Sequence, residues 1–191
     1  MTKSLSLTLG LLAGVLLLLP AVAHAKAKPV AAKAPPRVVT TSLEDYRRTF
    51  AALRAQPGTR AVFVNLWATW CEPCKEEMPD LVRFARDPRA KGVRVMLISA
   101  DPRAEQEEVG KYLASLGVDF TTYLKTGDDM EFINGIDPAW DGTIPASWLF
   151  DPAGKQAHRW NGKLTFDDLL RRLDALASAP KSKAHPEPKA H

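Results

Sequence analysis

The chain holds two cysteines among 191 residues, spaced as Cys71-Glu72-Pro73-Cys74 behind the apolar run Ala61-Val62-Phe63-Val64-Asn65-Leu66. The spacing places both thiols within one turn if a helix opens at the motif. A strand running into a Cys-x-x-Cys that begins a helix reads as a dithiol redox site. The thiolate, not the thiol, attacks a disulfide, so one of the pair must ionise near neutral pH. Cys71 at a helix N-terminus would face unpaired backbone N–H groups and the positive end of the helix dipole, which stabilise an anion. Cys74 lies one turn further in, more shielded yet within reach of the Cys71 sulfur. Cys71 is therefore expected to attack and carry the mixed disulfide, and Cys74 to resolve it.

Other uses of two thiols stay in view. A purely structural bridge closing so short a loop restrains the unfolded chain by about 2 kcal/mol, against about 3 for a 15-residue loop. A structural zinc site needs four ligands. Beyond the cysteines the sequence offers His24, His158, His185 and His191, of which only His158 lies outside the N-terminal leader and the C-terminal tail. Haem attachment would need a histidine directly after Cys74, where Lys75 stands. No metal and no cofactor is expected. Two alternatives remain: a copper-handling chaperone using both thiolates and His158, and a non-catalytic binding module with a structural disulfide.

The elements that must hold the motif follow from pattern. Ser42 followed by Asp45 forms a capping signal ahead of Leu43, Tyr46, Phe50 and Leu53 at helical spacing, and Pro57-Gly58 ends that helix. The apolar run 61–66 is expected to be a central strand. The helix after the cysteines turns Met78, Leu81, Val82 and Phe84 inward, with Pro79 expected to kink it. Val93–Ile98 reads as a second strand, parallel to the first across a βαβ unit. A helix through Val109, Tyr112, Leu113 and Leu116 stops at Gly117. A short extended piece is expected near Thr121–Leu124 and a short helix near Asp128–Ile133. Ala146–Phe150, the turn 151–154 and Lys155–Trp160 form a hairpin, and Thr165-Phe166-Asp167-Asp168 caps a last amphipathic helix. The order is α-β-α-β-α-(β-α)-β-β-α, an α/β sandwich around a mixed sheet.

The flanks have a different composition. Lys3, the apolar stretch Leu5–Leu19, Pro20 and Ala23-His24-Ala25 together read as a secretory signal peptide over 1–25, cut after Ala25. The rival is an uncleaved membrane anchor, for which the stretch is short; membrane contact is expected only in that case. Residues 26–37 read as a disordered linker and 179–191 as a disordered tail, leaving 38–178 as the folded domain. The formal charge of the whole chain is +4. Residues 38–178 carry 18 Lys and Arg against 21 Asp and Glu, a net of −3. Nucleic acid is therefore not an expected partner. A leader of this kind implies a compartment outside the cytoplasm, the bacterial periplasm, where thiol pairs can be oxidised.

The segment Phe63 to Pro79 resembles the active-site segment of the thioredoxin superfamily, and more narrowly that of exported TlpA/ResA-like thiol-disulfide oxidoreductases. The resemblance covers nearly all of residues 40–178 in element order. It implies a three-layer sandwich with a central mixed sheet, helices on both faces and an extra central insert over residues 119–140. It further implies that Thr143-Ile144-Pro145 carries a cis proline beside the cysteines, Ile144 offering backbone groups to a substrate strand and Pro145 shielding the dithiol; read without the resemblance, Pro145 is equally an ordinary strand-edge proline. Trp70, Glu72, Pro73, Ile144 and Pro145 are the expected substrate-binding residues. Relatives of the TlpA/ResA-like kind carry an acid three residues after the second cysteine, here Glu77, which shares a helix face with Cys74 and could exchange a proton with it; the bland reading makes Glu77 a solvated glutamate. Asn65 occupies the position of the buried acid of cytoplasmic thioredoxins, and Glu72 replaces a glycine. Among the other tryptophans, Trp67, Trp148 and Trp160 are expected in or against the core, while Trp140 either borders the substrate groove or packs its own loop. The implied activity is reduction of disulfides in exported proteins, with a membrane thiol-disulfide relay as electron donor and apocytochrome c as one candidate client.

Overall fold

The computed structural model describes residues 36–178; the expected signal peptide, residues 26–35 of the expected linker and the tail lie outside the described residues. The elements are β1 (Val38–Thr41), α1 (Leu43–Ala55), β2 (Ala61–Trp67), α2 (Glu72–Arg86), β3 (Val93–Ser99), α3 (Gln106–Ser115), β4 (Thr122–Lys125), α4 (Asp129–Ile136), β5 (Ala146–Phe150), β6 (Gln156–Asn161) and α5 (Phe166–Ser178). They form a six-stranded sheet in the order β1-β4-β3-β2-β5-β6. The four strands from β1 to β2 run parallel, and β5 and β6 complete the sheet antiparallel.

β2 is flanked on both sides, and all seven of its residues are buried. Successive side chains alternate between faces, so its residues feed two separate cores. Ala61, Phe63 and Trp67 pack with Met78, Leu81 and Phe84 of α2, Val109 and Leu113 of α3, and Leu169 and Leu173 of α5. Val62, Val64 and Leu66 pack with Leu43 and Tyr46 of α1 and Phe132 of α4. The result is three layers, with α2, α3 and α5 on one face and α1 and α4 on the other. The helix starts follow the sequence signals. Ser42 and Asp45 exchange reciprocal hydrogen bonds, each 3.2 Å, at the start of α1, and Thr165 and Asp168 do the same at 3.1 and 3.2 Å before α5, satisfying free helix N–H groups.

Three expectations need correction. The domain begins with a strand, β1, not with α1: Val38–Thr41 pairs with Thr122–Lys125 at the sheet edge. Only Thr41 of its four residues is buried, so the stretch shows no alternation to betray it. Backbone order also reaches two residues into the expected linker, since Pro36 is buried and the Arg37 carbonyl accepts the Thr122 N–H at 2.9 Å. Finally, α4 runs three residues further than expected, to Ile136, with Asp128 as its N-cap.

Pro79 sits inside α2. It has no N–H to give the Lys75 carbonyl four residues earlier. Tyr112 of α3 supplies the missing donor through its hydroxyl, 3.3 Å from that oxygen, while its ring packs on Trp67 at 5.5 Å.

Candidate active site

Cys71 and Cys74 form a disulfide where β2 has ended and α2 begins. Cys71 is the N-cap of α2, with extended backbone. Its sulfur takes the place that a serine or aspartate oxygen usually fills, accepting the Cys74 N–H at 3.3 Å. Pro73 occupies the first turn, where its missing N–H leaves no helix bond unmade. The cap supplies a reduced Cys71 with the donor and dipole that favour a thiolate. Cys71 is 6% exposed and Cys74 is fully buried, so an approaching disulfide reaches Cys71 first. Trp70, 63% exposed, projects beside it. Glu72 is exposed and paired with Lys75 at 2.6 Å.

Glu77 is no solvated glutamate: it is 1% exposed. One carboxylate oxygen accepts the Asn65 amide N–H at 2.8 Å and the other accepts the Leu164 backbone N–H at 2.8 Å. Asn65 also donates to Ser147 Oγ at 2.9 Å. A single polar thread thus joins β2, α2, β5 and the loop before α5 inside an apolar core. Burial pushes the Glu77 carboxyl up to about 7, against the Leu164 and Asn65 hydrogen bonds and the charge of Lys163, which favour its ionised form. The carboxyl therefore changes its charge near neutral pH, where a general acid-base group is most effective.

The Ile144–Pro145 bond is cis. The Pro145 carbonyl is occupied by the Gly162 N–H at 2.8 Å and the Thr143 carbonyl by the Trp140 indole at 2.9 Å. No such bond takes up the backbone of Ile144 among the described residues, which leaves an edge to which an extended peptide can add. A groove of about 190 Å³ opens here, lined by Leu66, Trp70, Phe132, Ile133, Trp140 and Ile144 among others. Trp140 lines this groove, packs edge-on against Trp148 at 5.1 Å, and through its bond to the Thr143 carbonyl also ties its own loop. Trp67 and Trp148 are fully buried and Trp160 half-buried.

The structure does not bring His158 to the thiols. His158 pairs with Leu149, which pairs with Phe63 near the start of β2, and it lines a cleft with Thr59 and Arg60, whereas Cys71 follows the far end of that strand.

Sequence reasoning missed Asp101, which anchors the turn ahead of Cys71. Its carboxylate is 2% exposed and accepts four hydrogen-bond contacts from the Thr69 N–H, the Thr69 hydroxyl and the Ser99 hydroxyl. It also missed Ser147 and the Leu164 N–H as partners of the Asn65–Glu77 pair. The signal for Asp101 was slight: a lone acid just past a strand end, level with the cysteine motif that follows the neighbouring strand.

Residues 30–159 match the AhpC/TSA family model. This chain belongs to the AhpC/TSA family. Within the curated relatives of this AhpC/TSA protein, thiol-disulfide oxidoreductase ResA of Bacillus anthracis is 28% identical over 144 residues, covering 75% of this chain and 77% of the relative. A thioredoxin-family thiol:disulfide interchange protein from Chlorobium tepidum TLS has a solved structure that superposes with a TM-score of 0.55 at 26% identity, covering 66% of this chain and 83% of that one. A thioredoxin-related protein from Neisseria meningitidis serogroup B superposes at 0.54 with 23% identity, over 63% of this chain and 87% of its own, a likeness of fold. The fold is thioredoxin-like, and the protein is a thiol-disulfide oxidoreductase of the TlpA/ResA-like kind.

Proposed function

We propose that this protein reduces disulfides of exported proteins outside the cytoplasm, through Cys71 as nucleophile and Cys74 as resolving thiol. The observation that carries the reading is Cys71 capping α2 with a small exposed edge, with Cys74 fully buried behind it and the unpaired backbone of Ile144 lining the adjacent groove. In the reduced protein the Cys71 thiolate attacks one sulfur of a client disulfide. A Cys71–client bond forms, the client S–S bond breaks, and the departing client sulfur leaves as a thiolate that takes up a proton. Cys74 then gives its proton to the Glu77 carboxylate and attacks the Cys71 sulfur. The Cys71–Cys74 disulfide forms, the second client thiol is released, and two electrons have passed from protein to client.

In this reading an extended client segment lies along Ile144 and Pro145, with Trp70, Glu72 and Pro73 on the opposite wall. Residues 1–25 direct export and are removed after Ala25, and 38–178 is the working domain. Because the compartment is oxidising, electrons return from a membrane thiol-disulfide relay. Apocytochrome c, whose cysteines must be reduced before haem attachment, fits as a client. The test is trapping in the compartment: Cys74→Ser should accumulate mixed disulfides with clients while Cys71→Ser accumulates none. A Cys71→Ser protein with undiminished activity in a protein-disulfide reduction assay would overturn the reading.

A further inference from the structure

Asp101 is a buried carboxylate that the exchange chemistry leaves unused. Both of its oxygens accept the Thr69 N–H, at 3.1 and 3.0 Å, while Oδ1 accepts the Thr69 hydroxyl at 2.6 Å and Oδ2 the Ser99 hydroxyl at 2.5 Å. The Asp101 N–H in turn donates to Ser99 Oγ at 3.0 Å, which fixes the carboxylate's own backbone to the end of β3. The strand ladder is extended at the same point, where the Ala100 N–H reaches the Trp67 carbonyl at 2.8 Å. The turn that leads to the nucleophile is closed by the Cys71 N–H on the Ala68 carbonyl at 3.2 Å. Thr69 is one of the two central residues of that turn, with Trp70. Held at both its backbone and its side chain, it can neither slide nor rotate without leaving a buried charge short of donors, a cost well above that of an ordinary surface contact. No lysine or arginine forms an ion pair with Asp101 among the described residues, so the hydrogen bonds from Thr69 and Ser99 are what hold the carboxylate.

We propose that Asp101 is a positioning residue for the exchange reaction: through Thr69 it fixes the Ala68–Cys71 turn, and thereby sets where Trp70 stands and how the Cys71 sulfur enters the α2 cap. A charge-assisted clamp of this kind is short and directional, which suits a nucleophile that must meet an incoming disulfide along one line. The proposal rests on Cys71 as the attacking thiol. Thr69 is the informative lever, because its side chain can be altered without removing the buried charge. Thr69→Val keeps the shape and the backbone bond and loses the hydroxyl donor; Thr69→Ser keeps the donor.

The test measures kcat/KM for reduction of insulin disulfides, and separately the alkylation rate of Cys71 by iodoacetamide at pH 7 in a reduced Cys74→Ser background. Thermal melting is followed in parallel. Expected are a fall of at least threefold in both rates for Thr69→Val, a return to within twofold of the parent for Thr69→Ser, and a fall of at least tenfold in kcat/KM for Asp101→Ala. A merely structural role would lower the melting temperature and leave the alkylation rate of the folded protein unchanged. Thr69→Val rates within twofold of the parent would overturn the proposal even if Asp101→Ala fails to fold. Cys71→Ser run alongside separates the two claims: if it is inactive while Thr69→Val is unaffected, the positioning role alone is lost; if it stays active, the nucleophile assignment is lost first.

Discussion

Glu77→Gln in the oxidised protein, where neither cysteine titrates, isolates the proton held under the active site. Glu77 is shifted from 4.5 to about 7, chiefly by burial. Between those two values the folded state holds a proton that the unfolded chain has released, so the stability contributed by this group must fall as pH rises through the window and be gone above it. At about 1.4 kcal/mol per pH unit, the gap amounts to about 3 kcal/mol. Glutamine carries no charge and does not titrate. Its amide can be accepted without rebuilding the core, because Asn65 Oδ1 is buried and without a partner: a flip of the Asn65 amide turns that oxygen toward residue 77 and Ser147, while the Leu164 N–H keeps an acceptor. The difference in unfolding free energy, variant minus parent, should therefore be near zero at pH 4.5 and climb to about 3 kcal/mol in favour of the variant by pH 8. Urea denaturation at pH 5, 6, 7 and 8, read by tryptophan fluorescence, measures it, and subtraction cancels all other titrating groups. In the reduced protein the same variant should slow resolution and let mixed disulfide accumulate. A stability difference flat across pH 5–8 would refute the reasoning, since the carboxyl would then ionise near 4.5 and hold no proton at neutral pH.

Other consequences are simpler. Trp70→Ala should leave the denaturation midpoint unchanged, because the side chain is largely exposed, and should slow reduction of a protein disulfide more than that of a small one such as oxidised glutathione. Tyr112→Phe should cost about 1 kcal/mol in urea denaturation by leaving the Lys75 carbonyl, already deprived of a donor by Pro79, without its partner. Asp137→Ala removes the acceptor of the buried Trp148 indole, 3.0 Å away, and of the Ala139 N–H; a loss of about 1–3 kcal/mol is expected, with a change in Trp148 fluorescence as the local signature.

Local sequence carried the elements whose signals are themselves local. The Ser42–Asp45 and Thr165–Asp168 boxes act over three residues, β2 announces itself by an apolar run broken only at Asn65, and the cysteine motif declares both a helix start and a chemistry. β1 escaped because four residues, mostly half-buried, follow directly on an Ala/Pro/Lys-rich stretch and find their partner, β4, more than 80 residues later. Glu77 illustrates the limit within the site. Beside Glu76 it reads as half of a charged, solvated pair, and helix spacing shows only that it shares a face with Cys74. The Leu164 N–H that holds its carboxylate inside the core lies 87 residues away. Asp101 is the same case at 32 residues from Thr69. Chemistry that depends on one residue type at one spacing is legible; chemistry that depends on a carboxylate being wrapped by distant backbone is not.

The direction of electron flow is the claim on which the account most depends, and a redox titration of the Cys71–Cys74 pair in glutathione or dithiothreitol buffers tests it most directly. The account predicts a reducing couple near that of thioredoxin, at about −270 mV. A value near about −120 mV, that of a strong disulfide donor, would contradict it and make the protein an oxidant of its clients.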